Sequence, residues 1–212
     1  MSVPVLQIGR KRILFLMAAE AEYGPALRAR FTPVITGVGP VEGAVIATAT
    51  LARLQSEGGL PDLVVLLGSA GSARLEHCGV YQATTVAYRD MDASPLGFPK
   101  GVTPFLDLPA RLDLSCYIKG VPVATLSTGG NIVPHDLYAS IAEDMVDMET
   151  YAVLRACQTF GLALVALRGI SDGTEPLEGL QSWTEYLHVI DERLADAVDL
   201  LIAQVQDGTF QG

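Results

Sequence analysis

Three short and almost unbroken apolar runs, at residues 13–17, 62–67 and 162–167, constrain the architecture more than any other feature of the chain. A strand that is apolar on consecutive residues has no face to offer to water, so it must be covered on both sides. Between the first two runs lie segments of helical composition, residues 21–30 and 41–55, with a short extended piece at 33–36. The second helix is entered through Gly37-Val38-Gly39-Pro40, where the glycines permit a tight turn and the proline suits a first helical position. Strand, helix, strand, helix, strand with short connections predicts an α/β fold around a largely parallel sheet with helices on both faces.

The middle of the chain reads differently. Residues 74–114 hold four prolines, several glycines and brief strand-like pieces such as 84–88, the composition of strands joined by long loops that serve as a lid or a subunit contact. Residues 121–126 follow as a strand, 149–159 as a helix and 183–205 as a long amphipathic terminal helix. Without an internal repeat or linker, residues 1–212 read as one domain, with 1–11 and 206–212 expected to be flexible ends.

Composition limits the partners. Half of the 212 residues are hydrophobic and 18% are charged, enough for a large core and incompatible with general disorder. The formal net charge of −10 repels phosphate backbones and anionic lipid, so neither nucleic acid nor a membrane surface is an expected partner. Cys78, Cys116 and Cys157 are widely spaced and form no CxxC pair or zinc-ligand pattern. They suit reduced thiols in the cytoplasm. No apolar run approaches a membrane span, and no metal is called for.

In open α/β sheets ligands bind beyond the carboxyl ends of the strands, so the polar residues that follow the apolar runs are the ones to consider. They are Glu20 and Glu22, the Gly37–Gly43 turn, Gly68-Ser69-Ala70-Gly71-Ser72, Asp147-Met148-Glu149, and Arg168-Gly169-Ile170-Ser171-Asp172. Carboxylates in apolar surroundings are suited to acid or base work. Each also has a plainer explanation: first-turn acids facing a helix dipole for Glu20 or Glu22, an N-cap for Asp147 or Glu149, a turn for Asp172. The spacing Gly37-x-Gly39-x-x-x-Gly43 departs by one residue from a dinucleotide fingerprint, and Glu57 and Asp62 are poorly placed to hold a ribose.

Taken in order, Met17-Ala18-Ala19-Glu20-Ala21-Glu22, Thr36-Gly37-Val38-Gly39-Pro40-Val41, Gly68-Ser69-Ala70-Gly71, Val146-Asp147-Met148-Glu149 and Leu167-Arg168-Gly169-Ile170-Ser171-Asp172 resemble the nucleoside phosphorylase and nucleosidase superfamily, most closely the 5′-methylthioadenosine/S-adenosylhomocysteine nucleosidases. The resemblance implies a three-layer α/β/α sandwich around a twisted, mixed, mostly parallel sheet. It also implies a homodimer and hydrolysis of the N-glycosidic bond of an adenine nucleoside without metal or organic cofactor. By the same resemblance Asp172 is the acid that protonates N7 of the base, kept protonated by a closed apolar site, and Glu22 is the base that activates water. Glu149 holds the ribose hydroxyls, with Met148 against the sugar. Ser69, Ala70 and Gly71 form the turn near water and base, Arg168 and Ser171 orient Asp172, Ile132 contacts the base through its backbone, and Trp183 closes the site.

The chain departs from the family pattern at two places. Asp147 stands where a glutamate is usual, and Asn131 where relatives commonly stack a phenylalanine on adenine. Leu96 and Phe98 fall in a segment that resembles the family's subunit contact, which implies that one or the other lines a neighbouring subunit's 5′-substituent pocket; the plainer explanation is ordinary loop hydrophobes. A phosphorylase of the same superfamily is the nearest rival, disfavoured by the acidic 19–22 segment, which would repel phosphate. A futalosine-type hydrolase, a dinucleotide-dependent oxidoreductase and a non-catalytic nucleoside-binding protein are the remaining readings.

Overall fold

Alternate residues of one apolar run enter two different cores. Ile13, Phe15 and Met17 pack in one cluster of buried residues while Leu14 and Leu16 pack in another, because successive side chains of a strand point to opposite faces. The run needs no polar residue because neither face meets water. In this computed structural model, which describes residues 2–173 and 183–210, it belongs to a mixed sheet of nine strands among the described residues. The strands are β1 Leu6–Ile8, β2 Lys11–Met17, β3 Val34–Ile35, β4 Leu63–Gly71, β5 Val80–Tyr88, β6 Arg111–Asp113, β7 Val123–Thr128, β8 Met145–Asp147 and β9 Ala163–Asp172. The helices are α1 Pro25–Arg28, α2 Pro40–Ser56, α3 Thr150–Thr159 and α4 Leu187–Asp207.

Against one face lie α2, through Ala47, Leu51 and Leu54, and α3, through Val153 and Leu154. Against the other lies α4, whose Ile190, Leu194, Val198 and Leu201 recur at the three- and four-residue spacing of a single helical stripe. Parallel ladders join β2 to β3 and β4, β4 to β9, and β5 to β7 and β7 to β8. Antiparallel contacts join β9 to β5 and β8 to β4, the latter at Gly71 opposite Val146. The path β4, β9, β5, β7, β8 therefore returns to β4, and the sheet curls into a ring. At the rim of that ring the carboxyl end of β4 meets β8, and the end of β9 lies beside it.

Regular structure reaches close to both ends of the described residues. Residues 6–8 form β1, paired antiparallel with the start of β2 in a hairpin whose Ile8 is buried, and residue 1 lies outside the described residues. Helix α4 continues to Asp207, and Phe210 packs against the cluster beneath it; residues 211–212 lie outside the described residues. The helix expected at 21–30 is instead a 3-10 turn, Glu20–Glu22, followed by the single turn of α1, because Gly24 and Pro25 interrupt it. Trp183 precedes α4, which starts at Leu187.

Candidate active site

Every acidic residue singled out from the motifs converges on one cavity of about 590 Å³ at the rim of the ring, except Glu20. It is lined by Glu22, Ser69, Ala70, Gly71, Asp147, Met148, Glu149, Asp172 and Trp183, together with Ala18, Ala19, Val38, Arg89, Ile132, Val133, Tyr138, Val146 and Asn131. The 3-10 turn after β2 separates the two glutamates. Glu20 pairs with Arg28 on the surface, and Glu22 turns inward to 7% exposure.

Glu22 is held on one side only. Its Oε1 accepts the Ser69 backbone N–H at 2.7 Å and the Ser69 hydroxyl at 2.6 Å, and the Trp183 indole N–H donates to that hydroxyl at 2.9 Å. Its Oε2 is buried and has no hydrogen-bond partner among the described residues. Gly68 makes the arrangement possible: a Cβ there would lie 2.6 Å from Arg168 Nη1 and 3.0 Å from Glu22 Oε2.

Asp147 and Glu149 have distinct tasks. Asp147 accepts from Thr128 Oγ1 at 2.5 Å, and from Thr150 N–H at 2.9 Å and Thr150 Oγ1 at 2.6 Å, so it anchors the start of α3. It also pairs with Arg168 at 2.5 Å, and both side chains are 1% exposed. Arg168 is thus not the orienting partner of Asp172 that the resemblance implied. One β9 residue cannot serve both walls, and its guanidinium turns to Asp147, to the Thr150 hydroxyl at 2.8 Å and to Glu149 Oε2 at 3.9 Å. Glu149 Oε1 accepts the Gly39 N–H at 2.8 Å. Gly39, at φ +100°, turns that N–H inward from the head of α2, so the glycine-rich turn serves a carboxylate of this chain and not a pyrophosphate. Burial and then the neighbouring Asp147 charge push Glu149 up to about 7, against the opposing pull of Arg168 and the Gly39 N–H.

Asp172 owes its direction to a register slip. Strands β4 and β9 pair in step from Leu63↔Ala163 to Ala70↔Ile170, and then Gly71 faces Asp172, leaving Ser171 as the extra residue. Such bulges re-aim the side chains that follow them. Ser171 Oγ donates to Asp172 Oδ1 at 2.6 Å, and the Tyr138 hydroxyl lies 3.2 Å from Oδ2.

Two polar lining residues escaped the motifs. Arg89 follows β5 and could have been found by the same rule that singled out the others, a polar residue just past the carboxyl end of a strand. Its Nη1 donates to the carbonyls of Ser127 (2.6 Å) and Asp147 (2.9 Å), and its Nη2 to those of Gly129 (3.2 Å) and Asn131 (2.7 Å). One side chain therefore ties the wall carrying Ile132 to the wall carrying Glu149. Tyr138, in the helical turn His135–Ser140, had no sequence signal. Among the described residues no cluster of His, Cys, Asp and Glu could hold a metal ion.

The chain is similar in sequence and in fold to known proteins. The chain is 25% identical over 189 residues to a 5′-methylthioadenosine/S-adenosylhomocysteine nucleosidase of Actinobacillus succinogenes, covering 81% of this chain and 80% of that one. It is 28% identical over 185 residues to the protein of the same name from Haemophilus influenzae, covering 74% and 79%. Among solved structures it resembles a futalosine hydrolase mutant of Helicobacter pylori at 19% identity and a TM-score of 0.75, covering 91% and 98%. It resembles equally a mutant of the Helicobacter pylori methylthioadenosine/S-adenosylhomocysteine nucleosidase solved with 5′-methylthioadenosine in the active site, at 19% identity, a TM-score of 0.76, and 92% and 99% coverage. These two likenesses bear on the fold alone. The sequence profile of the phosphorylase superfamily matches residues 26–203, most of the chain, and with it the chain belongs to the phosphorylase superfamily.

Proposed function

We propose that this protein is an N-glycosyl hydrolase that cleaves a purine nucleoside, 5′-methylthioadenosine or S-adenosylhomocysteine, with water, releasing adenine. The observation that carries the reading is the half-satisfied Glu22: Oε1 is fixed by Ser69, while the buried Oε2 is left to accept a proton inside the cavity. A water hydrogen-bonded there is deprotonated as it attacks C1′. The C1′–N9 electron pair passes into the base, and Asp172 gives its proton to N7, so the base leaves neutral. Glu149 takes the ribose hydroxyls, Met148 lies against the sugar, the backbone of Ile132 meets the base, and Trp183 closes over Ser69.

The lining also argues against a phosphate nucleophile. Among the described residues that line the cavity, the cation is Arg89, committed to four carbonyls, amid the acidic side chains of Glu22, Asp147, Glu149 and Asp172. Asn131, in place of a stacking aromatic, favours a second reading in which the base or the 5′-group differs from that of methylthioadenosine, as in a futalosine-type hydrolase.

The same reading includes a three-layer arrangement, a homodimer and the cytoplasm. Helices on each side of the sheet support the first, and three free buried thiols are consistent with the last. For the dimer, Val38 at the cavity mouth continues into Val41 and Val45, which are 70% and 55% exposed, and the 89–110 loop leaves Leu96 and Phe105 largely in solvent. Phe98 is held edge-on against Phe105, so Leu96 is the better candidate to reach a second copy. The test is incubation with methylthioadenosine with and without phosphate. Adenine released in both conditions supports hydrolysis, release that requires phosphate supports phosphorolysis, and no release from any purine nucleoside refutes both.

A further inference from the structure

The Tyr138 ring is buried and lines the cavity on the side of Asp172. Its hydroxyl and that of Ser171 approach different oxygens of the Asp172 carboxyl, at 3.2 Å and 2.6 Å. The fit is close, since a Cβ on Gly71 would fall 2.0 Å from the phenol oxygen and 2.8 Å from Asp172 Oδ2. Tyrosine hydroxyl, acid and strand end thus meet at the point where the β4–β9 register slips. Burial pushes the phenol well above the ordinary tyrosine range, so it remains an O–H group at neutral pH. Arg89 is the cation that faces it.

We propose that Tyr138 is a positioning residue for protonation of the leaving base, acting through Asp172. This rests on the nucleosidase reading above. A carboxyl group turns freely about its Cβ–Cγ bond unless each oxygen has a partner, and Ser171 and Tyr138 supply one for each. The stronger effect comes from charge. Before the step Asp172 is a neutral acid. As the proton passes to N7 and the C1′–N9 pair moves into the base, Asp172 becomes an anion while water adds to C1′ and its proton goes to Glu22. A hydroxyl that donates to a carboxylate makes a hydrogen bond about twice as strong as a neutral one. Tyr138 therefore holds the product form of Asp172 more tightly than the reactant form, a preference that lowers the barrier and leaves substrate affinity nearly untouched. Nothing in the family motifs points to this residue; it is carried by the 135–140 turn of this chain.

The experiment is a double-mutant cycle of Tyr138→Phe and Asp172→Asn, with adenine release from methylthioadenosine as the rate and circular dichroism and thermal unfolding as the fold control. Tyr138→Phe removes one oxygen and keeps the ring. It is expected to lower kcat by about ten- to thirtyfold, with KM changed by less than about threefold. In the Asp172→Asn background the same substitution is expected to cost nothing further, because the charge it supports is no longer formed. An unchanged kcat in Tyr138→Phe, a loss carried mainly by KM, or an equal loss in both backgrounds overturns the inference, the last marking a structural role. If the wild type releases no base from any purine nucleoside, the nucleosidase reading itself fails and takes this inference with it. If the wild type and the Asp172→Asn loss behave as proposed while Tyr138→Phe is normal, the inference alone fails.

Discussion

Replacing Glu149 by glutamine should make the protein more stable and less active at once. The carboxylate is 4% exposed, beside Asp147, and its value stands at about 7 against an ordinary 4.5. Between those two values the folded state binds more protons than the unfolded one, so this group's contribution to stability is full at low pH and is lost as pH rises through 7. At about 1.4 kcal/mol per pKa unit, holding the charged form costs close to nothing near pH 4 and roughly 3 kcal/mol near pH 8. Glutamine has the shape of the protonated form and keeps an oxygen for the Gly39 N–H, so it escapes that cost. Urea unfolding of both proteins across this range is the assay. The variant should match the wild type near pH 4 and exceed it by about 2–3 kcal/mol near pH 8. The wild-type curve should slope downward where the variant's is flat, and turnover should fall because a charged acceptor for the sugar hydroxyls has gone. A variant less stable than the wild type near pH 8, or a stability difference that does not change with pH, would refute the argument.

Other residues give sharper losses. Asp147→Asn leaves the Arg168 guanidinium buried beside Glu149 alone, and urea unfolding should register a loss of about 3–5 kcal/mol. Arg89→Gln cannot serve four carbonyls from two walls, so it should cost about 3 kcal/mol in the same measurement and raise KM more than it lowers kcat. Glu22→Gln and Asp172→Asn should each lower kcat by about 10²- to 10⁴-fold while far-ultraviolet circular dichroism stays that of the wild type; near-normal turnover in either would remove it from the mechanism.

The strands easiest to read in the sequence are those whose two faces are both buried, since continuous apolar residues at 13–17 and 63–67 leave no alternative to a covered sheet. Residues 145–147 were missed as a strand because three residues carry no periodicity, and residues 6–8 because their pairing with β2 depends on a partner the local sequence does not announce. The acids were found because they follow strands, but the partner of each was not. The family resemblance made Arg168 a partner of Asp172, yet the bulge at Ser171 re-aims the strand end and Arg168 meets Asp147 instead. Glu20 and Glu22 are alike in sequence, and the 3-10 turn sends one to solvent and the other to the cavity. Tyr138 reaches Asp172 across 34 positions of chain, a closeness that only the assembled sheet creates.

The account stands or falls on what attacks C1′. Turnover of methylthioadenosine in ¹⁸O-labelled water, in buffer containing phosphate, followed by mass spectrometry of the sugar and the base, measures this directly. One labelled oxygen in the released methylthioribose and none in adenine is the predicted result. An unlabelled sugar carrying phosphate, or no cleavage of this or any other purine nucleoside, would contradict it.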